Sequence, residues 1–205
     1  MPPCDSFPRL PALCLHSGLP PFPRWHTSTK GVPDRRAAQR GVREVEQLLE
    51  TGLTPVLHGD AVFDTQQGVS ILSGDALMET LAAALRPTLA VFLTDVAGVY
   101  TCPPTEPNAT LLAAIRVDRI GTIIEMETYE PDDDGTADRR GGGLGPATAT
   151  AAHDVTGGLA AKLKAAAAIA AGGTPVVIVE VGTEHAAAAL RGEFPEVCTR
   201  IERAG

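Results

Sequence analysis

Three short apolar runs, residues 54–57, 89–93 and 176–179, each stop at a polar turn, and helix-patterned segments separate them. Runs of four or five apolar residues are strand-length, and runs without polar alternation suit strands covered on both faces. Strands alternating with helices in this way predict an α/β fold, a three-layer α/β/α sandwich around a mainly parallel sheet. In such sheets ligands gather beyond the carboxyl ends of the strands. The turns His58-Gly59-Asp60, Thr94-Asp95 and Val181-Gly182-Thr183 follow those ends, so the pattern predicts that they converge on one crevice.

The intervening segments carry their own signals. Pro33-Asp34 opens a helix running to about residue 50, with Val42, Val45, Leu48 and Leu49 as its apolar stripe and Thr51-Gly52 ending it. Residues 61–64 and 69–72 flank Gln66-Gln67-Gly68 and predict a hairpin. Ser73 caps a helix over about 75–85, which Pro87 closes. Residues 102–108 form a proline-rich loop, and 111–124 fit either a helix or paired short elements. Residues 130–150 contain three consecutive aspartates and an Arg-Arg-Gly-Gly-Gly run with almost no large apolar side chains. Such a stretch buries too little surface to offset its ordering entropy, which predicts a flexible insert; its aspartates read as solvated charge rather than a metal site. A helix over 159–171, the turn Gly172-Gly173-Thr174-Pro175 and a closing helix over 184–190 complete the chain.

Length and charge narrow the function. A chain of 205 residues can bury a core as one domain. Its 25 acidic against 17 basic residues, a formal charge of −8, come without a basic stripe interleaved with aromatics, which argues against a nucleic-acid partner. Cys4, Cys14, Cys102 and Cys198 form no C-x-x-C pair and no cluster at zinc spacing, so a reducing, cytoplasmic setting fits and no metal ligand set is signalled. No apolar run approaches the roughly 18 residues of a membrane span. The proline-rich residues 1–30 lack the amphipathic pattern of a transit segment.

The chemically suggestive stretch is Asp154-Val155-Thr156-Gly157-Gly158-Leu159-Ala160-Ala161-Lys162. Glycines let backbone N–H groups approach an anion, a helix N-terminus offers unpaired donors and partial positive charge, and Lys162 adds a full charge one turn in. Two of the three lysines, Lys162 and Lys164, fall in this segment. The same residues also suit a capped helix with a lysine on its solvated side.

Four motifs in order, Pro55-Val56-Leu57-His58-Gly59-Asp60, Ile71-Leu72-Ser73-Gly74-Asp75, Thr94-Asp95-Val96-Ala97-Gly98-Val99-Tyr100 and the 154–162 stretch, resemble the amino acid kinase superfamily. The His-Gly-Asp and Ser-Gly-Asp pair is similar specifically to the isopentenyl phosphate kinases, and Leu19-Pro20-Pro21-Phe22-Pro23-Arg24-Trp25 is similar to their substrate-side loop. The resemblance implies ATP-dependent phosphorylation of isopentenyl phosphate, giving isopentenyl diphosphate and ADP, with Mg2+ held largely by the nucleotide. It implies that Asp95 and Gly98 hold the nucleotide, that Gly157 and Gly158 lie against its phosphates, and that Lys162 neutralises the transferring phosphoryl group. Gly74, with Gly59 and Asp75, would meet the substrate. Other roles remain open to these residues. Asp95 also suits a turn cap, Gly74 tight packing before a helix, and His58 a satisfied strand-end histidine. Asp60 and Asp75 suit loop organisation through backbone N–H groups, since an ionised phosphate acceptor needs no general base.

The departures are equally specific. The family's early Lys-x-Gly-Gly-Ser loop and its Gly-Gly-Gly-Ser-Phe-Gly-His turn are not among these residues; Lys30 and His16-Ser17-Gly18 do not reproduce them. Residues 1–18 fall outside the resemblance and predict a disordered segment, leaving 19–205 as a partial kinase domain. The expectation is a shortened chain, with an exposed strand edge and incomplete charge neutralisation, or a non-catalytic relative that still binds nucleotide. Another enzyme of the same superfamily is a further alternative. Oligomeric state is open, a homodimer being one possibility.

Overall fold

The computed structural model describes residues 12–14, 26–29, 32–33, 35–131, 137–144 and 158–205, with side chains at 38–129 and 159–205. The chain forms two compact units, residues 1–85 and 86–205.

In the first unit, strands β1 (Ala12–Cys14), β2 (His26–Thr29) and β3 (Val32–Pro33) precede helix α1 (Arg35–Glu50). Among the described side chains of α1, Val42 and Val45 are buried and Leu48 is half-buried. Leu49, expected in the same stripe, points out instead, because Leu48 one residue earlier takes the inward position. Gly52, at φ +77°, reverses the chain: Leu53 N–H donates to Leu48 O and Gly52 N–H to Leu49 O, the two bonds of a Schellman ending.

Strand β4 (Thr54–Val56) follows and, among the described residues, pairs in parallel with β1 alone. The expected buried strand is therefore corrected to a thinly covered one: Val56 is exposed, since the two-stranded sheet of β1 and β4 gives it little to pack on. The predicted hairpin is present as β5 (Asp60–Asp64) and β6 (Gly68–Leu72). Its turn closes on the Asp64 carboxylate, which accepts from the N–H groups of Gln66 at 2.8 Å and Gln67 at 2.9 Å, and on Gly68 at φ +80°. Helix α2 (Gly74–Leu85) begins where Ser73 Oγ accepts from Ala76 N–H at 3.2 Å, as its sequence requires.

The second unit is built on a six-stranded sheet. Its strands are β7 (Ala90–Thr94), β8 (Leu112–Val117), β9 (Ile123–Pro131), β10 (Ala137–Leu144), β11 (Val176–Glu180) and β12 (Thr199–Arg203). Helices α3 (Gly158–Ala171) and α4 (Glu184–Leu190) flank β11 in sequence. The spatial order is β10-β9-β8-β12-β11-β7. Pairs β8/β12 and β11/β7 are parallel and the other three antiparallel, so the expected mainly parallel sheet is mixed. The antiparallel pairs involve residues 111–124, which fitted either a helix or paired short elements, the insert expected to be flexible, and β12, which the pattern did not reveal. Residues 111–124 resolve into β8, the start of β9 and a tight turn, and β12 completes the sheet.

Residues opposed across a sheet share a face. Val177 and Val179 pack with Ala186 and Ala189 of α4 and with Cys198. The opposite face carries Val176, opposed to Ile201, and extends to Arg203, whose guanidinium donates to Ala171 O at the end of α3. Helices thus cover both faces, the α/β/α layering that alternation predicts. The insert at 130–150 is partly regular: Ala137–Leu144 pairs antiparallel with β9. Main-chain bonding supplies a strand there without large apolar side chains. The aspartates at 132–134 and residues 145–150 lie outside the described residues.

Candidate functional site

The direction of α3 determines what the second unit offers a ligand. Its last carbonyls lie by Arg203, the end of β12, and β12 runs antiparallel to β11. The carboxyl end of α3 therefore sits at the amino end of β11, and the four residues 172–175 suffice to join them. A helix of 14 residues spans roughly 21 Å, enough to return to the carboxyl end of the strands. Gly158 begins α3, and the half-buried Lys162 follows one turn later on the same face, at the helix end remote from the amino end of β11. Lys164 is exposed on a different face. Gly157 and Asp154 lie outside the described residues.

At their carboxyl ends β7 and β11 are adjacent and parallel, with Glu180 opposite Thr94. Val181 N–H donates to Thr94 O at 2.8 Å, which fastens the two turns side by side. The buried Thr94 hydroxyl donates to Val96 O at 2.8 Å and turns the chain so that Asp95 is presented to solvent. Gly182, at φ +80°, leads into Thr183, whose hydroxyl accepts from Ala186 N–H and donates to Glu180 O. Thr183 is therefore occupied as the cap of α4.

Gly98 is buried, and its glycine identity has a packing reason. A Cβ there would overlap Thr199 Oγ1, lie 3.0 Å from Thr199 N and 3.1 Å from Leu111 Cδ1. The next residue, Val99, donates its N–H to Thr199 Oγ1 at 2.8 Å. Thr199 belongs to β12, which sequence reasoning missed; the alternation of buried Thr199 and Ile201 with the half-buried, charged Arg200 and Glu202 was its available signal.

In the first unit the two Gly-Asp turns meet. Asp60 opposes Leu72, and a Cβ on Gly59 would lie 2.8 Å from Leu72 O, 3.4 Å from Gly74 N and 3.5 Å from Ser73 Cα. His58-Gly59-Asp60 is thus laid against Ser73-Gly74-Asp75 at the start of α2. Gly59, not Gly74, is the closely packed glycine; nothing stands within 4 Å of a Cβ built on Gly74. Asp60 Oδ1 accepts from Ala61 N–H at 2.7 Å, the loop-organising use expected of it, and His58 Nδ1 lies 2.9 Å from Gly59 O. Asp75 stands half-buried in the first turn of α2, where a carboxylate favours the helix dipole.

Among the described residues no three His, Cys, Asp or Glu side chains are gathered for a metal ion, and no helix is long and apolar enough to cross a membrane. A magnesium ion held largely by a nucleotide would need few protein ligands.

The model of the amino acid kinase family matches residues 16–180. Isopentenyl phosphate kinase of Arabidopsis thaliana is 40% identical over 180 residues, 86% of this chain and 50% of the relative. Glutamate 5-kinase of Streptomyces coelicolor is 32% identical over 159 residues, 77% of this chain and 36% of the relative. An isopentenyl phosphate kinase crystal structure superposes with a TM-score of 0.62 at 23% identity, covering 94% of this chain and 59% of that one. The chain thus spans about half the length of the curated relatives it matches.

Proposed function

Because the chain belongs to the amino acid kinase family, we propose that it serves the ATP-dependent phosphorylation of isopentenyl phosphate. The γ-phosphoryl group passes to a terminal oxygen of the acceptor phosphate, giving isopentenyl diphosphate and ADP. The observation that supports this reading is the direction of α3, whose carboxyl end meets Arg203 at the amino end of β11, so that its amino end, with Gly158 and Lys162, is directed toward the sheet end that carries Asp95. Phosphoryl transfer asks a protein mainly to position two anions and offset their charge, and an N-terminal helix turn followed by a lysine supplies both.

In this proposal Asp95 and the Gly98 loop hold the nucleotide, Gly157 and Gly158 lie against its phosphates, and Lys162 compensates charge on the transferring group. Gly74, free of packing constraint, receives the acceptor beside Gly59 and Asp75. Magnesium, carried on the nucleotide, supplies further charge neutralisation. Four cysteines without a C-x-x-C pair suit a reducing cytoplasmic setting, and a homodimer is the oligomeric state we propose to test alongside. The isopentenyl phosphate assignment is favoured over glutamate by the paired Gly-Asp turns and by the higher identity to isopentenyl phosphate kinase.

Calorimetry with the 205-residue chain tests the proposal. ATP binds, and Lys162→Ala weakens it about tenfold or more, as expected for a lost charge-assisted contact; unchanged affinity contradicts the phosphate assignment. Isopentenyl phosphate binds where glutamate does not, and the reverse order contradicts the acceptor. Transfer followed by phosphorus NMR is slow, on the order of a hundredfold below a kinase carrying the glycine-rich histidine turn, whose donors these residues do not include.

A further inference from the structure

The Thr94–Tyr100 loop presents Asp95 outward, yet its far end is held by a single side chain outside the family-matched residues 16–180. That side chain is Thr199, which is fully buried. Its hydroxyl accepts from Val99 N–H at 2.8 Å and donates to Leu112 O at 2.6 Å, while Leu112 N–H donates to Val99 O at 2.8 Å. The hydroxyl thus stands between two backbone segments where a second N–H···O=C bond would otherwise close the pair. It uses its donor and an acceptor lone pair on groups that cannot reach water. Gly98 is pressed so closely on the same oxygen that no Cβ fits between them.

The residue before Thr199 is itself anchored. Cys198 N–H donates to the Tyr129 hydroxyl at 3.0 Å, and that hydroxyl lies 2.7 Å from the carbonyl oxygens of both Cys198 and Glu196. Thr199 is therefore a fixed post, not an adaptable contact. At its near end the loop is held by the Thr94 hydroxyl on Val96 O. Two buried threonine hydroxyls bracket the segment whose exposed member is Asp95.

We propose that Thr199 is a positioning residue for nucleotide binding, setting the height and orientation of Asp95 through the Gly98-Val99 end of the loop. This deepens the nucleotide reading given above and rests on it. The expected signature separates positioning from general support: losing the hydroxyl weakens ATP binding while the fold persists, and returning a hydroxyl restores it.

The test measures ATP affinity and thermal unfolding for the 205-residue chain and the variants Thr199→Val, Thr199→Ser and Asp95→Asn. Thr199→Val keeps shape but leaves Val99 N–H and Leu112 O without their partner. Small misplacement of a binding group has large effects, so Thr199→Val should lower ATP affinity about tenfold. Thr199→Ser should stay within about twofold of the parent, and Asp95→Asn should show a loss comparable to that of Thr199→Val. A folded Thr199→Val chain that binds ATP like the parent, while Asp95→Asn is impaired, overturns the positioning role alone. An Asp95→Asn chain with parental affinity overturns the nucleotide reading and this role with it. Should Thr199→Val fail to fold, Tyr129→Phe removes the hydroxyl that anchors Cys198 and so loosens Thr199 from the side away from the loop. A matching loss of ATP affinity then supports the role, and parental affinity overturns it.

Discussion

Strand β11 and the two strands of the β5/β6 hairpin are each five residues long, apolar-rich and beside glycine turns, yet they are covered in opposite ways. Val176, Val177, Ile178 and Val179 are at most 1% exposed, because α3 and α4 close the two faces of their sheet. On the hairpin, Phe63 opposes Val69 and Ala61 opposes Ile71, which puts these side chains on one face; Phe63, Val69 and Ile71 are 59%, 62% and 74% exposed. The difference teaches how each candidate site is held. Asp95 and Gly158 rest on a doubly covered sheet, and the Asp95 loop is bracketed by buried hydroxyls. The Gly59 and Gly74 turns rest on local contacts: one close glycine approach, one helix cap and one Asp-capped reversal.

The largest test of this contrast is a pair of truncations. Ile178→Ala removes a fully buried side chain and should cost about 2–5 kcal/mol in urea unfolding of the second unit. Ile71→Ala should change stability by no more than about 0.5 kcal/mol. Equal losses would break the comparison.

A pair of glycines sharpens it at smaller scale. Gly98→Ala forces a methyl onto Thr199 and should destabilise by about 1–3 kcal/mol. Gly74→Ala meets open space at the first residue of α2, so stability should hold while isopentenyl phosphate binding falls. Gly74→Ala with an intact acceptor affinity would remove Gly74 from the site.

The smallest effect concerns a turn in the second unit. The Asp118 carboxylate accepts from Thr122 N–H at 2.8 Å and Ile120 N–H at 2.9 Å. These bonds, that of Thr122 foremost, hold its carboxyl below the ordinary range although partial desolvation opposes them. A carboxyl lowered on folding contributes stability above its unfolded pKa of about 4, and the contribution is lost as pH falls through the lower folded value. Asp118→Asn should therefore flatten a small acid limb of the thermal stability profile; an unchanged limb would exclude this turn.

Legibility in the sequence followed the same divide. The helix from 74 to 85 was readable because Ser73 and Pro87 are local signals, whereas Thr183, read as part of a strand-end turn, proved to cap the helix from 184 to 190. Strand β11 was readable as an uninterrupted apolar run. The β5/β6 reversal was readable from Gln66-Gln67-Gly68. What escaped was set by partners distant in sequence. β12 has only five alternating residues and becomes a strand by pairing with β11 and β8. β10 is a strand through main-chain bonds to β9, which composition does not encode. Leu49 faces outward because helix phase favours Leu48. In the candidate site, Asp95, Gly98, Gly158 and Lys162 were marked by motif. Thr199 was invisible, since its importance arises from a hydroxyl meeting Val99 one hundred residues earlier.

The central claim is that the carboxyl end of β7 and β11, together with the start of α3, receives the nucleotide phosphates. Titrating ATP with magnesium into the isotope-labelled 205-residue chain and following backbone amide resonances tests it most directly. The account predicts the largest shifts at 95–98, 158–162 and 181–182, with little change along the β5/β6 hairpin. Shifts concentrated on the hairpin, with the α3 amides unmoved, would contradict it.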